Sequence, residues 1–561
     1  MQYKWTVLAN TTMGGLMASI NATILLISLP SIFRGLNVDP VAPGNFTLLL
    51  WVILGYMIVT ASVLITFGRL SDDYGRKRFY TIGFIIFSIA SIALSVVPYG
   101  SGVNGVLFII IFRIVQGIGG GFIMVNSTAL LTDAFPDKER GKALGTNQVA
   151  FLAGSFIGLI VGGLLAPFDF HLVFIVSVPF AILGAVWSYY KLKEEKTIKA
   201  KVGVDWIGNL FLSLGLILIT LGLTYALVPY GSNPLGWSNP CVLASLMIGL
   251  ISIFAFVFIE LKVSNPLFKL ALFRNIQFTF SSLALFLSSL ARGAVMFLVI
   301  IWLQGIYLPL NGYSISQTPF WAGIYMVPLM VGFVALGPIS GALTDRFGAR
   351  VFATSGLLIS ALGLFFLATF PANFSYWSFA AVLFLIGVGN GLFAAPNTKR
   401  TMDALNWKER GVGNGIRTTF ANVGQMISMV LFFTILITVF SYSLPSSISS
   451  QATSLSLPSG VTSELSSVPA SSFLFASFLG INPISTFLSQ LPKSIISSIP
   501  ISTLSLIESS KFIPKLISSS FMQGLKSALY ISILLLVIGA ILSAFARQRV
   551  VKGAEVVGQY H

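Results

Sequence analysis

Arginine inside an apolar run is the first chemistry this sequence offers. Arg113 stands in FIIIFRIVQGIGGG, Arg292 in LFLSSLARGAVMF and Arg417 in GNGIRTTFANV. A guanidinium keeps its charge and is costly in hydrocarbon, so each must face a bundle interior and meet polar groups or an anionic ligand. Gln116 lies one turn from Arg113, and Asn126, Asn147, Gln148, Asn390, Asn422 and Gln425 are further amides in such runs. No Asp or Glu falls in the middle of a run; Asp39, Asp169, Asp205 and Glu260 are all near edges. A second chemistry lies in GRLSDDYGRKR, Gly68 to Arg78, and its echo GALTDRFGAR, Gly341 to Arg350, 273 residues on. A carboxylate such as Asp72, at a helix junction beside Arg76, can accept from the N-terminal amides of a facing helix and pair with arginine. One conformational state makes such a contact and another breaks it, which is a gate. A third feature is mechanical. Gly154, Gly158 and Gly162 recur every fourth residue with Gly163 beside them, a smooth stripe along which another helix can approach and slide.

Membrane spans must position these groups. Of the 561 residues 55% are hydrophobic and 9% charged, with mean hydropathy +0.90. A soluble domain carries roughly 25% charge, so this chain belongs in lipid. Apolar runs long enough to cross a core of about 30 Å fall near 6–33, 48–68, 79–98, 105–131, 143–166, 170–190, 206–228, 240–261, 277–305, 318–341, 351–370, 377–398, 413–440 and 523–546. The expected fold is all-α, with about fourteen transmembrane helices. The first run is too long for a cleaved signal and lacks a small-residue cleavage site, so it reads as a span.

Basic residues gather in alternate loops: Arg69, Arg76, Lys77 and Arg78; Lys138, Arg140 and Lys142; Lys191 to Lys201; Lys262, Lys269 and Arg274; Arg346 and Arg350; Lys399, Arg400, Lys408 and Arg410; Arg547, Arg549 and Lys552. By the positive-inside rule these loops and both termini are cytoplasmic. The net charge of +16 follows from that pattern and does not indicate nucleic-acid binding. The Ser-rich stretch 442–521 is then an outer loop, in which FLFASFLGI and SKFIPKLISSSF read as short amphipathic helices lying on the membrane face.

The repeat extends beyond the two charged loops. KERG at Lys138 to Gly141 returns at Lys408 to Gly411, and Gly117, Gly119 and Gly121 match Gly387, Gly389 and Gly391, all 270 residues apart. Two pseudo-symmetric six-helix bundles therefore flank an inserted helix pair. The expected divisions are 1–190 for the first bundle, 191–275 for linker and inserted pair, 276–441 for five helices of the second bundle, 442–521 for the outer loop, and 522–561 for the last helix and tail. Repeat-built transporters rock their halves about a midplane site.

With these residues in place the chain resembles the major facilitator superfamily, and within it the fourteen-span drug:proton antiporter branch. The first charged loop resembles the superfamily's glycine-aspartate-arginine motif, RIVQGIGGG its fourth-span arginine motif, and GSFIGLIVGG the antiporter motif of the fifth span. NATILLISLP and PLFKLALFRN are similar too, so the likeness covers nearly everything except the Ser-rich loop. The resemblance implies an inner gate at Gly68, Asp72, Gly75, Arg76, Gly341, Asp345 and Gly348. It also implies a substrate cavity at Asn21, Arg113, Gln116, Arg292 and Asn390. Two departures matter. Leu159 stands where the family pattern has proline after the second glycine, and Asn21 where it has aspartate. A cavity without that carboxylate is net positive or neutral and favours anionic, zwitterionic or neutral amphiphiles.

The implied activity is secondary active export of a small-molecule substrate from the plasma membrane by a lipid-embedded monomer, with a proton as coupling ion. That coupling comes from the resemblance alone, since arginine does not titrate and His171 lies in an outer loop. A uniporter or importer of an anionic or neutral metabolite is the alternative, and a channel or sensor the alternative of another class. One cysteine and two histidines give no metal centre, no GxxxxGK[ST] loop binds nucleotide, and no nucleophile–base pair is present, so no enzyme activity or cofactor is expected.

Overall fold

The computed structural model describes residues 2–39, 42, 44–194, 205–231, 233–264, 266–405, 409–455, 458–482 and 500–546. The basic residues expected at Lys196, Lys199, Lys201, Lys408, Arg547, Arg549 and Lys552, and the Asp345 side chain, lie outside the described residues. In chain order the long helices of the first half are α1 Tyr3–Gly35, α2 Asn45–Tyr74, α3 Arg76–Leu94, α4 Gly102–Ala134, α5 Asp137–Leu165 and α6 Leu172–Lys191. Then come α7 Trp206–Tyr225 and α8 Pro240–Glu260, the inserted pair. The second half holds α9 Ile276–Leu310, α10 (Thr318–Tyr325 continued by Val327–Phe347), α11 Ala349–Thr369, α12 Tyr376–Asp403 and α13 Arg410–Ser454. Two short helices, α14 Ser459–Ser467 and α15 Ala470–Leu479, and a third, α16 Ile501–Ile507, precede the last span, α17 Phe512–Phe545.

Thirteen helices among the described residues are long and apolar enough to cross a bilayer, one fewer than the fourteen expected. The remaining expected span, 143–166, falls on α5, a 29-residue helix, Asp137–Leu165, of which the described apolar stretch is Ala153–Leu165.

The sequence repeat is a packing repeat. In the first half α3 crosses α4 where a β-carbon on Gly119 would meet Gly83 O and Phe87 N at 2.7 Å. In the second half α11 crosses α12 where one on Gly389 would meet Ser360 N at 2.5 Å and Gly356 O at 2.6 Å. Backbone contact of this kind tolerates only glycine, so the repeated glycines set the same two helix crossings. The paired loops match as well: Gly75 and Gly348 join α2 to α3 and α10 to α11 with φ of 116° and 85°, where a β-carbon is strained. The inserted α7 and α8 pack on each other, and α7 also touches α2 and α13, one helix from each half.

The loops rich in Lys and Arg define a basic face; the other end of the bundles is the far face. The halves meet toward the far face. A β-carbon on Gly163 of α5 would lie 2.7 Å from Pro319 O, and one on Gly323 of α10 would lie 3.0 Å from Leu159 O. Gln304 Nε2 on α9 donates to Ile27 O on α1 at 3.1 Å, and the Phe46 and Phe433 rings stand 5.6 Å apart.

The stretch expected as an outer loop is largely helical. α13 has 45 residues, about 68 Å at 1.5 Å per residue, and so outruns a hydrocarbon core of about 30 Å. α17 begins at Phe512 and takes in most of SKFIPKLISSSF, so that segment opens a 34-residue helix and does not lie separately on the membrane face. Ser447 of α13 and Ser520 of α17 meet at 2.7 Å, joining the two extensions. FLFASFLGI is not on the membrane face either: it is α15, buried from Ser471 to Leu479. Its aromatic side chains find apolar partners on both halves, which a lipid surface would not supply.

Candidate transport site

The expected cavity residues divide into two sets. Asn21, Arg113 and Gln116 come together inside the first half, where Arg113 Nη1 donates to Asn21 Oδ1 at 2.5 Å and to Gln116 Oε1 at 2.6 Å. Gln116 Nε2 continues to Ser91 Oγ at 2.8 Å, and Ser177 Oγ donates to the same oxygen at 3.3 Å. The guanidinium lies 4.7 Å from the centre of the Tyr56 ring, a cation–π contact. Arg113 is only 2% exposed, and its Nε has no hydrogen-bond partner. Its charge is thus held by amide oxygens and an aromatic face, with no carboxylate paired to it among the described residues.

Arg292 and Asn390 are not brought to that network. Asn390, on α12, is half-buried and accepts from Ser360 Oγ at 3.3 Å. Arg292, on α9, is half-buried near the crossing where a β-carbon on Gly293 would meet the Gln425 backbone at 3.0 Å. Arg417, also half-buried, donates from Nε to Asn414 Oδ1 at 3.3 Å. Neither arginine is paired with a carboxylate among the described residues.

On the basic face a cavity of about 120 Å³ is lined by Asp72, Gly75, Arg76, Asp133, Lys193 and Glu194 among others. Arg76 Nε donates to Asp72 Oδ1 at 2.6 Å and Nη1 to Asp133 Oδ2 on α4. The amides that open α3 are received by a residue the sequence reading missed. Lys77 N and Arg78 N donate to Glu194 at 3.3 and 3.1 Å, so Glu194, not Asp72, occupies that helix N-terminus. Asp72 and Asp133 belong to the first half and Glu194 to the segment just after α6, so none of these partners of Arg76 and α3 comes from the second half. On the other charged loop Gly341 and Gly348 have no close neighbour that a β-carbon would strike under 3.4 Å. Glu194 and Asp133 carried no sequence signal, because they are remote in the chain from the motif they complete.

The glycine stripe is also divided. β-Carbons on Gly154, Gly158 and Gly162 would meet Leu16 O, Ile20 O and Ile24 O of α1 at 2.5, 2.6 and 2.8 Å, inside the first half. Gly163 alone faces the second half. Two edge carboxylates have been drawn inward at the basic end of the inserted pair. Asp205 and Glu260 are 8% and 3% exposed, the only acidic side chains so deeply buried among the described residues. Asp205 Oδ1 accepts from Gly208 N at 2.8 Å while its Oδ2 has no hydrogen-bond partner. Glu260 accepts from Leu267 N and Phe268 N, both at 3.1 Å, and the Arg69 guanidinium donates to Pro266 O next door. On the far face His171 Nδ1 lies 2.7 Å from Asp169 Oδ1, and Tyr99 OH donates to the same oxygen at 2.8 Å. Partial burial works to raise the Asp169 pKa, but hydrogen bonds from His171 and Tyr99 outweigh it and hold the carboxyl below the ordinary range.

Comparison with known proteins agrees with this geometry. The family model described as Major Facilitator Superfamily matches residues 11–325 and again 281–450. The riboflavin transporter RibZ of Clostridioides difficile is 26% identical over 436 residues, 77% of this chain and 88% of that one. The multidrug transporter protein MdtP of Bacillus subtilis is 24% identical over 531 residues, 94% of this chain and 90% of that one. Among solved structures, a bacterial homologue of the human lysosomal transporter Spinster, in an inward-facing and unoccupied conformation, has TM-score 0.55 at 14% identity, covering 97% of each chain. The two matches together span residues 11–450 and take in both helical halves, and this chain is a transporter of the Major Facilitator Superfamily.

Proposed function

We propose that this transporter exports small amphiphilic organic compounds by rocking its two halves, with the basic face and both termini in the cytoplasm and a monomer in the plasma membrane as the working unit. The observation that carries the reading is the pair Arg292 and Arg417, half-buried in the second half with no carboxylate partner among the described residues. A buried guanidinium without a carboxylate partner favours anionic, zwitterionic or neutral ligands over lipophilic cations. Asn390 supplies a further polar group to the same cavity, and the Asn21–Arg113–Gln116 network stiffens its wall. Gly68, Asp72, Gly75 and Arg76, with Gly341, Asp345 and Gly348, form the inner gate. Kinship with multidrug and antibiotic-resistance proteins, the methylenomycin A resistance protein of Streptomyces coelicolor among them, supports export.

The coupling ion is a proton, taken up at Glu260. Glu260 is buried with Asp205 at the basic end of α7 and α8, near the Arg69 guanidinium that Asp73 and Asp72 also face. Burial and the neighbouring acid both weigh against a charged Glu260, which a proton relieves. The test is efflux from proteoliposomes with and without a pH gradient, comparing ethidium with an anionic amphiphile such as anilinonaphthalene sulfonate. Gradient-driven movement of the anion, lost in Arg292→Gln, is expected. Robust ethidium export that survives Arg292→Gln would defeat the reading. Uniport or import of an anionic or neutral metabolite is the second reading, favoured by the likeness to a riboflavin transporter.

A further inference from the structure

We infer that α15, Ala470–Leu479, is a built-in plug that closes the far end of the path between the halves, and that it travels with the second half when that end opens. The inference rests on the rocking reading above and adds a moving part to it.

Nine consecutive residues of this ten-residue helix, Ser471 to Leu479, are buried, although the helix belongs to a Ser-rich connection between two spans. It is wedged between the halves. On the first half, the Phe475 ring stands 5.3 Å from Phe33 of α1 and 6.1 Å from Phe46 of α2. On the second half, Phe478 lies 6.2 Å from Phe297 of α9.

The two attachments differ in kind. Contact with the first half is made by edge-on aromatic packing, whose apolar burial needs no hydrogen bond and reforms easily. Contact with the second half includes a buried hydrogen bond: Ser477 Oγ donates to Gly305 O at 2.6 Å. Gly305 lies in Leu303–Tyr307, a π-helical turn of α9, where wider turns leave carbonyls free for other donors. A β-carbon on Gly305 would come 3.5 Å from Phe478 Cα, so the two backbones run in contact. Beyond the helix, Asn482 Nδ2 donates to Ile507 O at 2.8 Å and to Ser509 O at 3.0 Å, tying the plug to the segment leading into α17. Phe475 and Ser477 are two residues apart, about 200° around a helix, so the loosely held and tightly held faces are opposite. Separation at the far face therefore breaks the Phe475 side and keeps the Ser477 side.

The test labels single cysteines with a membrane-impermeant maleimide on the full-length protein in proteoliposomes, with the exposed Cys241 replaced by serine. Phe475→Cys is expected to react at least about tenfold faster than Ser477→Cys, because its face is uncovered in a state populated at roughly 1–10%. Equal reactivity, whether both react or neither does, overturns the inference. A second measurement does not depend on filling the Phe475 site. Spin labels on Val96 and Trp377, exposed on the far ends of the two halves, report their separation. Replacing 470–479 by a Gly-Ser chain is expected to shift that distribution to longer distances, and an unchanged distribution overturns the inference. Neither readout uses a substrate or a gradient, so failure here leaves the export reading standing, and the reverse.

Discussion

Gly163→Ala isolates the contact on which the closed far face depends. A β-carbon there would stand 2.7 Å from Pro319 O and 2.8 Å from Phe320 Cα. Carbon atoms pack comfortably at about 3.5–4.0 Å, so the overlap is close to 0.7 Å or more. Both obstructing atoms are backbone of the other half and cannot rotate aside. Relief requires the halves to part. Overpacking of one methyl group costs about 1–3 kcal/mol, and a state with the far face open carries none of that cost. Taking the midpoint, about 2 kcal/mol, the far-closed population falls roughly thirtyfold relative to the far-open one. Gly154→Ala is the matched control. Its β-carbon would meet Leu16 O at 2.5 Å and Ser19 Cβ at 3.0 Å, but both lie in the same half. That strain is present in both states, so it lowers stability without moving the conformational balance. The assay is the spin-label distance between Val96 and Trp377 read beside thermal melting in detergent. Gly163→Ala should lengthen the distance, and Gly154→Ala should lower the melting temperature and leave the distance alone. If Gly154→Ala moves the far-face distance as much as Gly163→Ala does, the division of the stripe into intra-bundle and inter-bundle glycines is refuted.

Three further outcomes are expected. Asn21→Leu removes an acceptor from buried Arg113 and should cost about 1–3 kcal/mol of stability, whereas Asn21→Asp should fold and weaken transport of anions; melting and uptake of an anionic probe check both. Glu260→Gln should keep exchange of substrate down its gradient and lose accumulation driven by a pH gradient, measured in proteoliposomes with a pH-sensitive dye. The Asp169 carboxyl, held below its ordinary value near 3.8, contributes stability that is complete above that value and disappears as pH falls through the lower folded one. The melting difference between the parent and Asp169→Asn should accordingly be flat above about pH 5 and vanish in stronger acid; a difference that grows on acidification would reverse the sign.

Much of the architecture was legible because hydrocarbon imposes a length on every span and glycine marks every close crossing. The Asn21–Arg113–Gln116 neighbourhood is implied by the family resemblance, while the spans, the inserted pair and the repeat follow from runs of about 20 apolar residues and fixed offsets. Those features are local or periodic, and a linear sequence records both. The partners that complete the gate were not legible: Asp133 and Glu194 reach Arg76 and the start of α3 from distant segments, and no spacing announces them. The glycine stripe gave its periodicity in sequence, but which glycine faces α1 and which faces the other half depends on the rotation of α5 between two neighbours. α15 is the clearest divergence. Its composition fits a membrane surface equally well, and only the aromatic side chains of both halves, meeting around it in three dimensions, make the buried position the favourable one.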